Sequence, residues 1–418
     1  MLSTEAQSGH SVLFRHDPLP ATAIDSVNLT RRFHALRNLL AAHAELWRPA
    51  PFHVPRPAWC KTLPRLHDEL LGLNETEVER LGGDNRALIA LVSRHLPMLA
   101  ELSALIALPP ADASGPVPPE RLLAHIPGRK QAQIRAFVAV IGTPQQQLLE
   151  WCAGKGHLGR LLAHRHAVPV TSLEIDAYLI AAGIGLADRA DIEQRFLHAD
   201  ALDPAAAAYL DGHHAVALHA CGDLHLALLR GAADRRTSAL DLAPCCYYRI
   251  ASPRYRPLNA DAGLDLTREE LHLAVTETVT AGARARRLRD ADAMRKLAFI
   301  EWRHELGIPR EQPFKPIATG WLSLPFADWL ALLCEREGMA PPPTCDHKRL
   351  QEAGRRRLAE VWRLDLLRLA FRRPLEVWLA LDRAVFLERA GYAVTLSEFC
   401  ERTLTPRNLL ISARRTTI

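Results

Sequence analysis

At 418 residues and 48% hydrophobic content, the chain is long enough for two or three domains with sizeable cores. A formal charge of +5 is too mild to mark nucleic-acid binding by itself, and the great excess of arginine over lysine reads as the codon usage of a GC-rich genome. No apolar run approaches the roughly 18 residues of a membrane span, and Met1-Leu-Ser-Thr-Glu-Ala-Gln7 lacks the basic and apolar segments of a secretory signal. Of eight cysteines, Cys245 and Cys246 are adjacent and none forms a C-x-x-C pair, so a reduced, cytoplasmic setting is expected.

Residues 1 to about 20 are polar and read as loose. From Asp25 to about Leu108 apolar residues recur at helical spacing, notably over 37–47 and 85–108, with a proline-rich, aromatic connector over 48–64. The stretch Pro109-Pro-Ala-Asp-Ala-Ser-Gly-Pro-Val-Pro-Pro119 predicts a linker and a domain boundary. A turn and an amphipathic helix over 126–141 lead into the next unit.

From residue 147 strands alternate with helices. Strands are predicted at 147–150, 168–175, 195–198, 215–219 and 238–242, with helices over 158–165, 177–187 and 223–230 between some of them. That rhythm implies a parallel sheet covered on both faces. Residues 248–374 read as a mostly helical, arginine-rich insertion. A closing helix over 375–390 and strands at 392–399 and 408–415 follow. The gap between those two strands is too short for a helical crossover, so they should be antiparallel. The expected fold is α/β, a Rossmann-like parallel sheet with an antiparallel terminal hairpin. Its expected divisions are an N-terminal helical region 1–110, a core 120–247, the helical insertion 248–374 and the core's closing elements 375–418.

The chemistry clusters at predicted strand ends. Gly154, Gly156 and Gly159 spell G-x-G-x-x-G in the turn from the first strand into a helix. Such a turn lets the backbone approach a nucleotide-like ligand, and the helix N-terminus favours an anion. That anion is the methionine carboxylate of S-adenosylmethionine or the pyrophosphate of NAD. Glu174, about 20 residues on at the end of strand two, is placed to accept ribose hydroxyls. Glu150 is placed to reach an ammonium group, for which an NAD site has no use. Asp200, after strand three, either accepts from an adenine amino group or caps the segment after Pro204. His219-Ala-Cys-Gly-Asp223 follows strand four, and Pro244-Cys-Cys-Tyr247 follows strand five. Cys152, Cys221, Cys245 and Cys246 therefore converge on one rim, but their spacing matches no ordinary zinc pattern and no metal is assigned.

Three elements together carry a resemblance: Cys152-Ala-Gly-Lys-Gly-His-Leu158, His219-Ala-Cys-Gly-Asp-Leu224 and Pro244-Cys-Cys-Tyr247. They resemble the methyltransferase-like superfamily that includes the eukaryotic tRNA acceptor-stem 2′-O-methyltransferase. The resemblance covers about 126–250 and, more loosely, 375–415, where Thr405-Pro-Arg-Asn408 is similar to that group's closing Ser-Pro-Arg element. Arg129-Lys130 is similar to its opening Lys-Lys-x-His-Glu element, with Ala132 and Gln133 in place of the His and Glu. Glu150 stands where many members have Asp, Cys152 stands at the usual first glycine, and the zinc-finger segments of the tRNA enzyme are absent. The resemblance implies a class I methyltransferase. Gly154, Gly156, Glu174 and Asp200, beside Glu150 and Cys152, would bind S-adenosyl-L-methionine. His219, Cys221, Asp223, Cys245, Cys246 and Tyr247 would line the methyl-transfer end, with His219 the first candidate base and Asp223 the second. The expected acceptor is a macromolecule, RNA (tRNA or rRNA) before protein, and no membrane partner is expected. Two other readings are an NAD-dependent oxidoreductase and a non-catalytic binding module on the same scaffold.

Overall fold

A computed structural model describes residues 26–114, 118–123, 125–276 and 283–416. The loose stretch expected over 1–20 and the centre of the Pro109–Pro119 linker lie outside them. Seven strands form one sheet: β1 Leu148–Trp151, β2 Val170–Glu174, β3 Gln194–His198, β4 His214–Cys221, β5 Ala239–Cys245, β6 Tyr392–Glu398 and β7 Leu409–Arg415. Their order is β3-β2-β1-β4-β5-β7-β6. The first five are parallel, and β7 runs antiparallel to both β5 and β6. The short β6–β7 connection thus does what its length requires, and the fold is the Rossmann-like sheet with a closing hairpin expected above.

Side chains alternate between two apolar layers, as the period of a strand demands. Leu148, Val170 and Val216 face one core, against the helices Gly128–Val140 and His157–His166; their neighbours Leu149, Ala215 and Ala217 face the other. The second layer holds the helices Asp223–Asp234 and Arg372–Arg389 and continues into the N-terminal helices. Asp241 is a carboxylate inside the sheet. Burial works against its charge, but His214 Nε2 at 2.6 Å and Arg414 Nη2 at 2.9 Å outweigh that and hold its pKa below the usual range.

The helical parts interlock. The Ser26–Ala42 helix packs on Arg372–Arg389, with Phe33 stacked on Trp378 at 5.6 Å between ring centres. Arginines of His347–Ala370 turn inward to cap backbone carbonyls of the N-terminal region: Arg357 to Pro51, Arg363 to Leu73 and Arg368 to Trp47, at 2.7, 2.8 and 3.0 Å. Residues 248–267, expected within a mostly helical stretch, are largely irregular. Pro253 and Pro257 cannot donate to a helix ladder, and the fully buried Asp382 instead accepts from Tyr255 and from the amides of Leu258 and Asn259. The linker is also engaged: the Pro109 carbonyl accepts from the Glu398 amide at 2.9 Å, and Ala111 donates to the Glu398 carbonyl at 2.8 Å. Among the described residues, no helix is long and apolar enough to cross a membrane.

Candidate functional site

The first motif is a turn of alternating left-handed residues. Cys152, Gly154 and Gly156 have φ of 57°, 59° and 62°. Such angles cost little in glycine and on the order of 1–2 kcal/mol in other residues, so Cys152 occupies a conformation suited to the glycine it replaces. A Cβ on Gly154 would meet nothing within 4 Å, which leaves the outer face of the turn open. Gly156 faces inward, where a Cβ would lie 2.3 Å from Gln194 Nε2, and it caps the helix His157–His166.

Glu174, at the end of β2, closes onto this turn. Its Oε2 accepts from the Gly154 amide at 2.7 Å, and its Oε1 accepts from Ile175 and Asp176 at 3.0 and 3.1 Å. A carboxylate offers about four lone-pair sites, so one remains for a ligand hydroxyl; a second hydroxyl would have to replace a backbone amide. Glu150 lies beneath the turn and is 3% exposed. Ser172 donates to it at 2.7 Å, and Gln194 links Ser172 to the Gly156 carbonyl at 2.8 and 2.9 Å. Burial pushes the Glu150 carboxyl up to about 7, against the pull of the Ser172 hydroxyl and the Gly159 amide. Its contacts brace the turn from below. Asp200 is exposed, and its Oδ1 accepts from Leu202 at 2.8 Å; the cap after Pro204 belongs to Asp203 instead. Ile175 and Leu202, which sequence reasoning passed over, follow β2 and β3 with 57% and 52% of their surfaces exposed, an apolar rim beside Glu174 and Asp200.

The second and third motifs are bolted together. The β4–β5 ladder breaks register between Leu218 and Cys221, and β4 runs on through Cys221, beyond the end expected at residue 219. His219 has φ 71°. Gly222 has φ 56°, and a Cβ there would lie 1.8 Å from the Arg249 carbonyl oxygen, so only glycine fits. Gly222 donates to the Cys245 carbonyl at 3.3 Å, and Asp223 donates to that of Arg249 at 3.0 Å. The Asp223 carboxylate accepts from the Ala251 amide at 2.6 Å, which ties the start of the Asp223–Asp234 helix to the loop after β5; the N-cap position itself is Gly222. His219 Nε2 lies 3.0 Å from Gln133 Oε1, a partner the sequence reading missed. With the amide oxygen as acceptor, Nε2 carries the proton. Burial, then Arg407, pulls the imidazole down to about 4, so it is neutral near pH 7.

Cys221 and Cys245 are cross-strand partners with their sulfurs 3.3 Å apart. Cys246, at φ 44°, bends its side chain back toward them, and the three sulfurs lie within 4.8 Å of one another. Hydrogen bonds from Cys221 and Cys245 hold the Cys246 thiol well below its usual range, with Arg407 and Arg249 adding to the effect; the same bonding pushes Cys245 up. Cys152, in the glycine turn, stands outside this group of three, and burial, then Glu174 and Cys221, pushes its thiol up to about 12.

Tyr247 does not face the crevice. It is fully buried, under the Arg383 guanidinium at 4.8 Å and edge-on to His225 at 5.9 Å. The left-handed Cys246 reverses the alternation and sends the next side chain into the core. Tyr248 takes the outer position, half-buried, with its ring 4.7 Å from that of His272. His272 in turn lines a cleft of about 460 Å³ with Phe52, His53, Arg268, Thr276 and Arg368. A larger cleft, about 840 Å³, lies among the helices beside Arg56, Glu301, Arg310 and Glu360 and touches none of the three motifs.

Residues 129–253 match the family model of a methyltransferase domain. The chain carries a methyltransferase domain. The matched stretch begins in the helix that bears Gln133, contains all three motifs and ends just past the Asp223–Ala251 contact. The closing hairpin of the domain comes from outside that stretch, and the helical segments lie before it and between it and the hairpin.

Proposed function

We propose that the protein is an S-adenosylmethionine-dependent methyltransferase acting on a macromolecule, RNA before protein. The observation that carries this reading is the open, left-handed Gly154, clasped to Glu174 at the carboxyl end of a sheet ordered β3-β2-β1-β4-β5-β7-β6. The common dinucleotide-binding sheet has order 3-2-1-4-5-6 and no antiparallel strand between its fifth and sixth positions, which disfavours NAD.

The residues fit the parts of the cofactor. Gly154 admits a close backbone approach, and the start of the His157–His166 helix suits a carboxylate. Glu174 would accept a ribose hydroxyl, Ile175 and Leu202 would flank the base, and Asp200 would accept from its amino group. S-adenosylmethionine supplies a methyl group already activated on sulfur, so the protein's main work is alignment of the acceptor. Where that acceptor is a hydroxyl, we assign its proton to Nδ1 of His219, which is neutral near pH 7 with its proton on Nε2 toward Gln133. Asp223 is spent on Ala251 and recedes as a base. RNA is favoured by the exposed Arg284, Arg287, Arg289, Arg355 and Arg356 on two helices packed together.

Calorimetry with S-adenosylhomocysteine and with NAD tests the cofactor; binding of NAD alone overturns the proposal. Incubation with methyl-labelled S-adenosylmethionine and fractionated RNA and protein from a deletion strain tests the acceptor. Label in RNA that disappears in Gly154→Val is the expected result. Cofactor bound without label in any fraction would instead support a non-catalytic module.

A further inference from the structure

We propose that Cys221, Cys245 and Cys246 form a three-thiolate site for a zinc-class cation, with its fourth position open to the crevice. The spacing C-x23-C-C hides this arrangement, because successive strand residues point to opposite faces. Three backbone features defeat that alternation. The register break before Cys221 sets it opposite Cys245. The left-handed φ of 44° at Cys246 folds its side chain back beside Cys245. Gly222, where any Cβ would strike the Arg249 carbonyl, lets the loop bearing Cys246 lock onto β4 through its own amide on the Cys245 carbonyl and the Asp223 amide on that of Arg249. Left-handed angles at His219 and Cys246 cost on the order of 1–3 kcal/mol each, and such costs concentrate at functional sites. Here their shared result is that three sulfurs lie within 4.8 Å of one another.

The donor set selects the ion. Thiolates favour zinc and other soft cations over magnesium or calcium. A tetrahedral zinc with bonds of roughly 2.3 Å places its sulfurs slightly under 4 Å apart, so the 3.3 Å between Cys221 and Cys245 needs only a small spread. No further His, Cys, Asp or Glu among the described residues joins the group. Three protein ligands and one open position is the pattern of a reactive zinc site rather than a purely structural one. Cys245 is buried while Cys221 and Cys246 are half-buried, so the open side faces outward. Each thiol still protonated gives its proton to solvent as its sulfur–metal bond forms, with no change of oxidation state. The three-thiolate zinc unit carries one net negative charge, and Arg249 and Arg407 act on it with the opposite sign. Water or a donor atom of the methyl acceptor takes the open position; only that last role rests on the methyltransferase reading.

The test is metal analysis of the full chain purified under reducing conditions without chelator. About one zinc per chain is expected, lost in Cys246→Ser and retained in Cys60→Ser, whose cysteine lies in the N-terminal helices. Cobalt(II) added to the metal-stripped wild type should give a near-ultraviolet sulfur-to-cobalt charge-transfer band and the visible bands of a tetrahedral ion. That measurement needs no variant and no activity, so it stands or falls apart from the methyltransferase assignment. Absence of both metal and charge-transfer band overturns the site, as does a Cys221–Cys245 disulfide found by mass spectrometry in metal-free native protein.

Discussion

The Glu174 carboxylate accepts the Gly154 amide at 2.7 Å, so the end of β2 and the turn after β1 are held as one unit. Its donors Gly154, Ile175 and Asp176 all act through backbone amides, and the carboxylate itself is buried. Glu174→Gln places an NH2 group against at least one of those amides. Leaving a buried donor unpaired costs about 1–3 kcal/mol. Urea denaturation should show a loss of that size, and calorimetry should show weaker S-adenosylhomocysteine binding. Unchanged values in both would mean that the clasp organises nothing.

Two glycines with similar φ should respond differently to alanine. At Gly154 the new Cβ meets open space, so the variant bears only the left-handed cost, about 1–2 kcal/mol. At Gly222 the Cβ meets a backbone oxygen at 1.8 Å, and the loop after β5 must move. Gly222→Ala should therefore melt well below Gly154→Ala, whose main loss should appear in cofactor affinity. Equal melting temperatures would contradict the locked junction.

Glu150 sets a pH dependence. Its carboxyl is pushed up to about 7 by burial, so between its ordinary value near 4.5 and about 7 the folded state binds more protons than the unfolded one. Stability from this group is fully present below about 4.5 and is lost as pH rises to about 7. Glu150→Gln should flatten that slope while retaining an acceptor oxygen. Asp241 acts with the opposite sign, because its lowered pKa makes its contribution fall away in acid. Chemical denaturation of both forms from pH 5 to 8 separates the two; an identical slope in Glu150→Gln would refute the assignment.

Cys152→Gly should be tolerated. Relief of a left-handed side chain, about 1–2 kcal/mol, offsets the greater freedom glycine has when unfolded, about 0.5–1 kcal/mol. Thermal melts should place it within a few degrees of the wild type and above Cys152→Val, whose branched side chain tolerates φ 57° poorly. A collapse of stability in the glycine variant would show that the thiol carries the packing there.

All seven strands were legible, most as apolar or alternating runs bounded by turn residues, and the short gap between β6 and β7 dictated their antiparallel pairing. The left-handed angles at Cys152, His219 and Cys246 were not, because none of these residues announces such a conformation as glycine does. That cysteines meet on one rim was legible from the strand ends, but the approach of three sulfurs to within 4.8 Å and the burial of Tyr247 depend on those angles. The inward arginines were illegible for another reason: Arg357, Arg363 and Arg368 look like a solvated face until the carbonyls they cap are placed by folding.

The proline-rich stretch bonds both backbone groups of Glu398 and so covers the far end of β6, the last strand in the order. An unprotected outer strand is a template on which a second chain can dock and start fibrous or amorphous aggregates. Prolines at 109 and 110 offer no amide to extend the ladder outward, so at the Glu398 end the segment stops the sheet as well as covering it. A fragment begun at residue 129 would lose that shield, along with the Phe33 cover over Trp378. Recombinant work on this protein should therefore keep the residues ahead of the methyltransferase domain, or poor solubility will be mistaken for lack of activity.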